Sequence, residues 1–376
     1  MEKRLFKGGL HEVSLLGLGA MRLPKVEGMG EKIDFEKAQE IVDYAYAHGV
    51  NYYDTAYVYH AGESESFIGP ALSKYPRESY FLATKMPLWE ANSREDLERI
   101  FQTQLERTQA GYIDFYLMHA LNAPNFKKAE ELGLYDFMKE KQAEGLIRYI
   151  GFSFHDSPEV LENIASAHEW DFAQIQFNYL DYTAQNAKRQ YEILEEHNIP
   201  TIIMEPVRGG ALASPCAEAN EIFKAARPRM SVASWAIRFA ASFPNVLVVL
   251  SGMSNMEQIK DNVSTMTNFE YITDSDKETI EKALDAYRRR DVVPCTGCRY
   301  CMDCPAGVDI PGVFSVFNTS YAIDRNGEAF KESYYALPET ALADKCVDCK
   351  KCMSHCPQSI SIPERLAAIR DIAAKL

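Results

Sequence analysis

Residues Gly49 to Leu72 read G-V-N-Y-Y-D-T-A-Y-V-Y-H-A-G-E-S-E-S-F-I-G-P-A-L. Val50 to Tyr53 is a short run of strand-forming residues, and it breaks at Asp54 and Thr55 into a loop that carries Tyr59, His60 and Gly62. Ser64 and Ser66 then open a helical segment that ends near Leu72. The unit is strand, polar loop, helix. Its titratable residues stand where the strand ends, which in a barrel of alternating strands and helices is the face that carries an active site. The competing reading is that Asp54 caps a turn and Tyr59 packs as an ordinary aromatic.

The same alternation extends in both directions. Upstream, Val13 to Arg22 reads as a first strand, preceded by a small hairpin around Gly8 and Gly9, and Phe35 to His48 has helical spacing stopped by Gly49. Downstream, strands are expected at Tyr80 to Thr84, Ile113 to Met118, Tyr149 to Ser153, Ala173 to Phe177, Thr201 to Met204 and Val246 to Leu250. Between them the spacing predicts helices at Arg94 to Gln109, Leu134 to Ala143, Pro158 to His168, Ala184 to His197 and Ser231 to Ser242. Eight strands alternating with helices over roughly 250 residues predict an α/β fold, a (β/α)8 TIM barrel. An open doubly wound sheet is the alternative, and it is weakened because Gly17-Leu-Gly19-Ala-Met-Arg22 lacks the third glycine of a dinucleotide turn. Two more helices follow, near Met256 to Thr265 and Ser275 to Arg290. Beyond Val292 the composition turns to Cys, Pro, Gly and short helical pieces. The expected domains are therefore 1–291, a barrel, and 292–376, a small α-rich domain.

A chain of 376 residues with 47% hydrophobic content can bury a sizeable core. Its net charge of -14 repels phosphate backbones, which excludes nucleic acid as a favoured partner. The first nine residues lack a signal-peptide apolar stretch, and no run approaches the roughly 20 apolar residues of a membrane helix. A cytoplasmic protein with no membrane partner is expected. Of nine cysteines, Cys216 stands alone and eight fall between Cys295 and Cys356. In an intracellular chain such crowding points to metal, not disulfides.

Three strand ends carry candidate chemistry: Asp54, Lys85 in F-L-A-T-K-M-P, and His119 in F-Y-L-M-H-A-L, with Tyr59 on the loop after the second strand. Neighbouring parallel strands deliver their last residues to one mouth, so a carboxylate, an ammonium, an imidazole and a phenol should converge. A free phenol with a pKa near 10 donates its proton poorly at neutral pH. An ammonium from Lys85 would lower that pKa, with Asp54 keeping Lys85 charged. Tyr59 is then a general acid toward a carbonyl oxygen, and His119 donates a second hydrogen bond to it.

These residues resemble the aldo-keto reductase family over roughly residues 1 to 270. The likeness rests on D-T-A-x-x-Y at Asp54 to Tyr59, G-x-S-E at Gly62 to Glu65 with Gly69 and Leu72, T-K at Thr84-Lys85, and M-H at Met118-His119. The resemblance implies reversible reduction of a small-molecule carbonyl to an alcohol with hydride from a nicotinamide, NADP(H) or NAD(H). It implies a nicotinamide grip at Ser153 and Gln176, with Phe154 where the family has Asn and Met204 where it has a stacking aromatic. It also implies phosphate contacts from Ser251, Gly252, Ser254, Gln258 and Asn262, with Arg208 on the pyrophosphate. The basic residue that commonly holds the 2'-phosphate is missing.

In the tail, Cys346-V-D-Cys349-K-K-Cys352-M-S-H-Cys356-Pro357 has the bacterial ferredoxin spacing, and Cys295-T-G-Cys298-R-Y-Cys301-M-D-Cys304-Pro305 is one residue tighter. The two runs resemble a two-cluster ferredoxin. That likeness implies one [4Fe-4S] cluster on Cys295, Cys298, Cys301 and Cys356, and another on Cys346, Cys349, Cys352 and Cys304. Zinc is the alternative, since paired C-x2-C units also bind it. A nicotinamide delivers two electrons as hydride, whereas a cluster carries one. Three arrangements follow: structural clusters, a flavin in the same pocket, or a ferredoxin-like partner feeding electrons to the barrel. A barrel kept only as a sensing scaffold is the reading from another class.

Overall fold

The computed structural model of the chain describes residues 1–302 and 304–376. It has strands β1 (Lys3–Phe6), β2 (His11–Ser14), β3 (Leu16–Gly19), β4 (Tyr52–Asp54), β5 (Phe81–Met86), β6 (Ile113–Leu121), β7 (Ile147–Phe154), β8 (Phe172–Gln176), β9 (Thr201–Met204) and β10 (Val246–Ser251). Strands β3 to β10 run parallel and close into a barrel, with β10 hydrogen-bonded to both β9 and β3. The expected (β/α)8 barrel is present and the open sheet is not.

The first expected strand is two elements. Val13 belongs to an antiparallel hairpin, opposite Arg4, and the barrel strand begins only at Leu16. Ser14 makes the break. Its N–H donates to Asn51 Oδ1 at 2.7 Å and its hydroxyl to the Leu16 carbonyl at 2.8 Å, so polar groups that could extend a ladder are satisfied locally. The hairpin has a purpose in packing. Phe6 and Val13 share one buried core with Phe81, Phe115, Phe172 and Leu247. Phe81 and Phe172 are the first residues of their strands, so the hairpin closes the end where strands begin. Each aromatic so buried contributes about 1.5–3 kcal/mol. The opposite end, where the strands finish, is left for chemistry.

The chain divides into two compact units: Met1–Pro206 with Ala236–Ile272, and Val207–Trp235 with Thr273–Leu376. The boundary expected at 291/292 lies inside the second unit. There, helix Ala217–Ala226 and helix Asp274–Arg288 are tied by Arg227, whose Nη2 stands 2.8 Å from Asp276 Oδ2. The small core of this unit is built on Val308, Val313, Phe314, Phe330 and Leu366, and Cys295, Cys301, Cys304, Cys346, Cys352 and Cys356 pack against it. Among the described residues no helix is long and apolar enough to cross a membrane.

Candidate active site

Parallel register brings the predicted residues level. Asp54 pairs with Ala83, and Lys85 follows Ala83 two residues on, on the same face of β5. Lys85 Nζ donates to both carboxylate oxygens of Asp54, at 2.7 and 2.8 Å, and to the Thr55 carbonyl at 2.7 Å. The same nitrogen stands 4.9 Å from the centre of the Tyr59 ring. The Tyr59 and His119 rings meet edge-on, with centroids 6.0 Å apart. The Trp89 and His119 rings also meet, with centroids 5.0 Å apart. Asp54, Tyr59, Lys85 and His119 are all buried.

Burial sets the electrostatics. It pushes the Asp54 carboxyl up and the Lys85 ammonium down, and the attraction between them works against both shifts. Three short hydrogen bonds on one ammonium keep this a bonded ion pair. His119 is held well below the ordinary imidazole value, by burial first and then by the Lys85 and His155 charges. It is therefore a neutral ring at physiological pH. His155, at the end of β7, is lowered to about 4 by burial, with Glu205 pulling the other way.

Behind the four lies a buried network. Glu65 Oε1 accepts from Thr84 Oγ1 at 2.6 Å and from Gln104 Nε2 at 2.8 Å. Gln104 Nε2 also donates to the Lys85 carbonyl at 2.9 Å, and Tyr116 donates to Gln104 Oε1 at 2.6 Å. These bonds fix the backbone of the very strand that presents Lys85. Glu65 was legible in the G-x-S-E run, but Gln104 carried no signal beyond its place on a helix.

Tyr59 rides a tight turn in which His60 (φ 52°) and Ala61 (φ 53°) are left-handed. The His60 ring nitrogen Nδ1 bonds the Glu31 carbonyl at 2.9 Å, which anchors that turn. A second left-handed residue, Ala120 (φ 52°), follows His119, and its N–H donates to Ser153 Oγ at 2.8 Å. Such conformations persist only where their surroundings over-determine them.

The expected cofactor residues fall into two places. Ser153 and Gln176 stand at the ends of β7 and β8, and Gln176 Nε2 donates to Asp181 Oδ2 at 2.7 Å, an oxygen that also accepts from Asn178 Nδ2 at 2.6 Å. Ser251 and Gly252 end β10. Asn262 Nδ2 donates to Ser251 Oγ at 2.9 Å, while the Ser254 N–H donates to Gln258 Oε1 at 2.7 Å. Helix Met256–Thr267 starts directly after this loop, offering N-terminal amides of the kind that bind phosphate. Arg208 belongs to the second unit, where its Nη2 donates to Gln358 Oε1 at 3.3 Å. Met204 ends β9 and accepts from Gln174 Nε2 at 3.5 Å, and Phe154 is buried.

The thiols fall into two neighbouring sets. Cys295, Cys298, Cys301 and Cys356 line one cavity, which holds about 310 Å³ of space, part of it open to solvent. Burial, then the Cys298, Cys295 and Cys356 charges, push the Cys301 thiol up to about 12. Cys352 is raised by burial, and Cys346, Cys349 and Cys304 add to the shift. Four thiolates brought to one point would be costly without a cation among them. Among the described residues no group of three or more His, Cys, Asp or Glu side chains is placed so as to hold a metal ion. Cys216 is buried.

Residues 15–285 match the Aldo/keto reductase family, and residues 294–361 match the 4Fe-4S dicluster domain. The chain is 26% identical over 322 residues to the uncharacterized oxidoreductase YqkF of Bacillus subtilis, covering 78% of this chain and 98% of that one. It is 25% identical over 320 residues to the NADH-specific methylglyoxal reductase of Escherichia coli, covering 74% and 96%. Among solved structures it is similar to the holo form of aldo-keto reductase AKR11C1 from Bacillus halodurans, at TM-score 0.61 and 26% identity over 75% of this chain and 96% of that one. An aldo-keto reductase from Klebsiella pneumoniae in complex with NADPH shares the fold at TM-score 0.60 and 19% identity, covering 75% and 95%.

Proposed function

The chain belongs to the aldo/keto reductase family and carries a 4Fe-4S domain C-terminal to the reductase region, and on that premise we propose that it reduces a small-molecule carbonyl to an alcohol with a nicotinamide while its tail holds two [4Fe-4S] clusters. One observation carries the barrel half of this reading: the buried Lys85–Asp54 pair lies 4.9 Å from the Tyr59 ring, with His119 alongside. A nicotinamide, when bound, supplies hydride to the carbonyl carbon. Everything else falls to the chain. Tyr59 gives its phenolic proton to the carbonyl oxygen, and the electron pair of the broken O–H bond stays on the phenolate. Lys85 steadies that charge, and Asp54 holds Lys85 in place. Neutral His119 offers an N–H to the same carbonyl oxygen, in a buried site where hydrogen bonds act strongly.

The residues that would hold the dinucleotide are Ser153 and Gln176 for the amide end, and Ser251, Gly252, Ser254, Gln258 and Asn262 around the helix start for the phosphates. Relatives named as NADH-specific and as an NADPH complex support a nicotinamide of either kind. In the tail, the two thiol quartets support one cluster on Cys295, Cys298, Cys301 and Cys356 and another on Cys346, Cys349, Cys352 and Cys304. A second reading is favoured by one fact: Cys349 is exposed and its neighbour Val347 is 69% exposed, so an external one-electron carrier can approach that quartet. In that reading a ferredoxin-like partner, or a flavin in the barrel pocket, links the clusters to the substrate.

Anaerobic turnover of the reconstituted protein against a panel of carbonyls separates the readings. Activity with NADPH or NADH, lowered roughly 10²–10⁴-fold in kcat by Tyr59→Phe with nicotinamide binding kept, supports the first. Activity that requires reduced ferredoxin, or bound flavin absorbance, supports the second. An unchanged kcat in Tyr59→Phe overturns the assignment of the acid.

A further inference from the structure

The segment after β9 reaches the first thiol site. Arg208, Gly209 and Gly210 are three successive left-handed residues (φ 49°, 63° and 98°), and the first is not glycine. A Cβ on Gly209 would stand 2.3 Å from the Thr296 carbonyl oxygen, so only glycine lets the backbone press this close. That approach holds the neighbouring Arg208 side chain, 5% exposed, against Gln358. Thr296 and Gln358 line the same cavity as Cys295, Cys298, Cys301 and Cys356, Thr296 within the first cysteine run and Gln358 directly after the second. The strained turn thus grips both walls of a single site and buries a permanent cation one amide away from it.

We propose that Arg208 sets the potential of the first cluster, its guanidinium favouring the reduced form of the group held by Cys295, Cys298, Cys301 and Cys356. This rests on the cluster reading above. On reduction one electron enters from the donor, no bond forms or breaks, and the site becomes more negative by one charge. A fixed positive charge in a low-dielectric surrounding lowers the free energy of that more negative state, and net charge and hydrogen bonding are the levers that tune such clusters. Arg299 also lines the cavity, with its Nη1 3.3 Å from Asp309 Oδ1.

The test is a redox titration of the full-length protein, anaerobically reconstituted, poised with dithionite and read by electron paramagnetic resonance at two pH values. Wild type is compared with Arg208→Gln and Arg208→Lys. In Arg208→Gln the reduced-to-oxidised ratio of one cluster at fixed potential is expected to fall about tenfold, a shift of 59 mV for one electron. The other cluster stays put, and Arg208→Lys recovers most of the change. Equal potentials in wild type and Arg208→Gln overturn the proposal, as does an equal shift of both clusters. If Arg208→Gln does not keep its iron, Arg208→Met takes its place. Loss of four irons from both neutral variants with the fold retained also overturns it, since Arg208 then only holds the site together. Iron and sulfide analysis of wild type comes first: a chain that takes up zinc or no metal sinks the cluster reading itself, a failure distinct from that of Arg208.

Discussion

At the scale of single residues, the centre of the barrel mouth is an ion pair with no solvent to soften its loss. Asp54→Asn leaves the Lys85 ammonium buried, 0% exposed, facing an amide. Breaking a buried pair from one side costs about 3–5 kcal/mol, whereas removing both charges costs much less. Chemical denaturation of the barrel is therefore expected to show Asp54→Asn as more destabilised than Asp54→Asn combined with Lys85→Met. Additive losses would mean that the pair contributes nothing as a pair. Both variants should lose reductase activity at temperatures where they are folded: in Asp54→Asn nothing keeps Lys85 charged and in place, and in the double variant Tyr59 has lost its ammonium neighbour altogether. The chemical identity of this site was legible because each group ends a strand or follows one, and parallel strands have only one place to bring their ends. Gln104 was not legible, because it acts through a helix that packs behind β5 and no periodicity marks it as facing the site.

At the scale of elements, close helix packing secures the strand that carries Lys85. Helix Glu63–Leu72 meets helix Arg94–Thr108 so tightly that a Cβ on Gly69 would stand 2.0 Å from the Thr108 carbonyl oxygen. Gly69→Ala must push these helices apart, and with them the Glu65 and Gln104 bonds behind Lys85. Overpacking of this kind costs typically 1–3 kcal/mol, so calorimetry should find a lower Tm for the barrel with partial loss of activity; an unchanged Tm would mean that the helices slide without cost. The barrel strands were readable because strands buried on both faces are near-continuous apolar runs, as in Phe81–Met86, where every residue is buried. Helices Ala123–Glu131 and Ala217–Ala226 went unread for the opposite reason. The first buries only Ala129 and the second only Ala219 and Phe223, too few for an apolar stripe. The first is fixed instead by its start, with Pro124 in the first turn and Asn122 Oδ1 accepting from the Asn125 N–H at 2.8 Å.

At the scale of the molecule, the two units are stabilised by different means. The barrel buries apolar residues on all eight of its strands, while the second unit sets six of its cysteines against its own core. Below a certain core size a fold leans on metal or cross-links. With Cys301 pushed up to about 12, that thiol is protonated at neutral pH without a guest. It must shed its proton when a cluster binds, so binding releases protons and strengthens with pH. Ligand binding to the folded form alone adds stability to the unit that binds. Removing iron with a chelator under reducing conditions is therefore expected to lower or abolish the unfolding transition of the second unit and leave that of the barrel near its original temperature. Hydrogen exchange would place the effect: amides around Val308, Phe330 and Leu366 should lose protection while those of β5 and β6 keep theirs. Equal loss in both regions would mean that the units unfold as one, and no loss in either would mean that the thiols hold nothing the fold depends on.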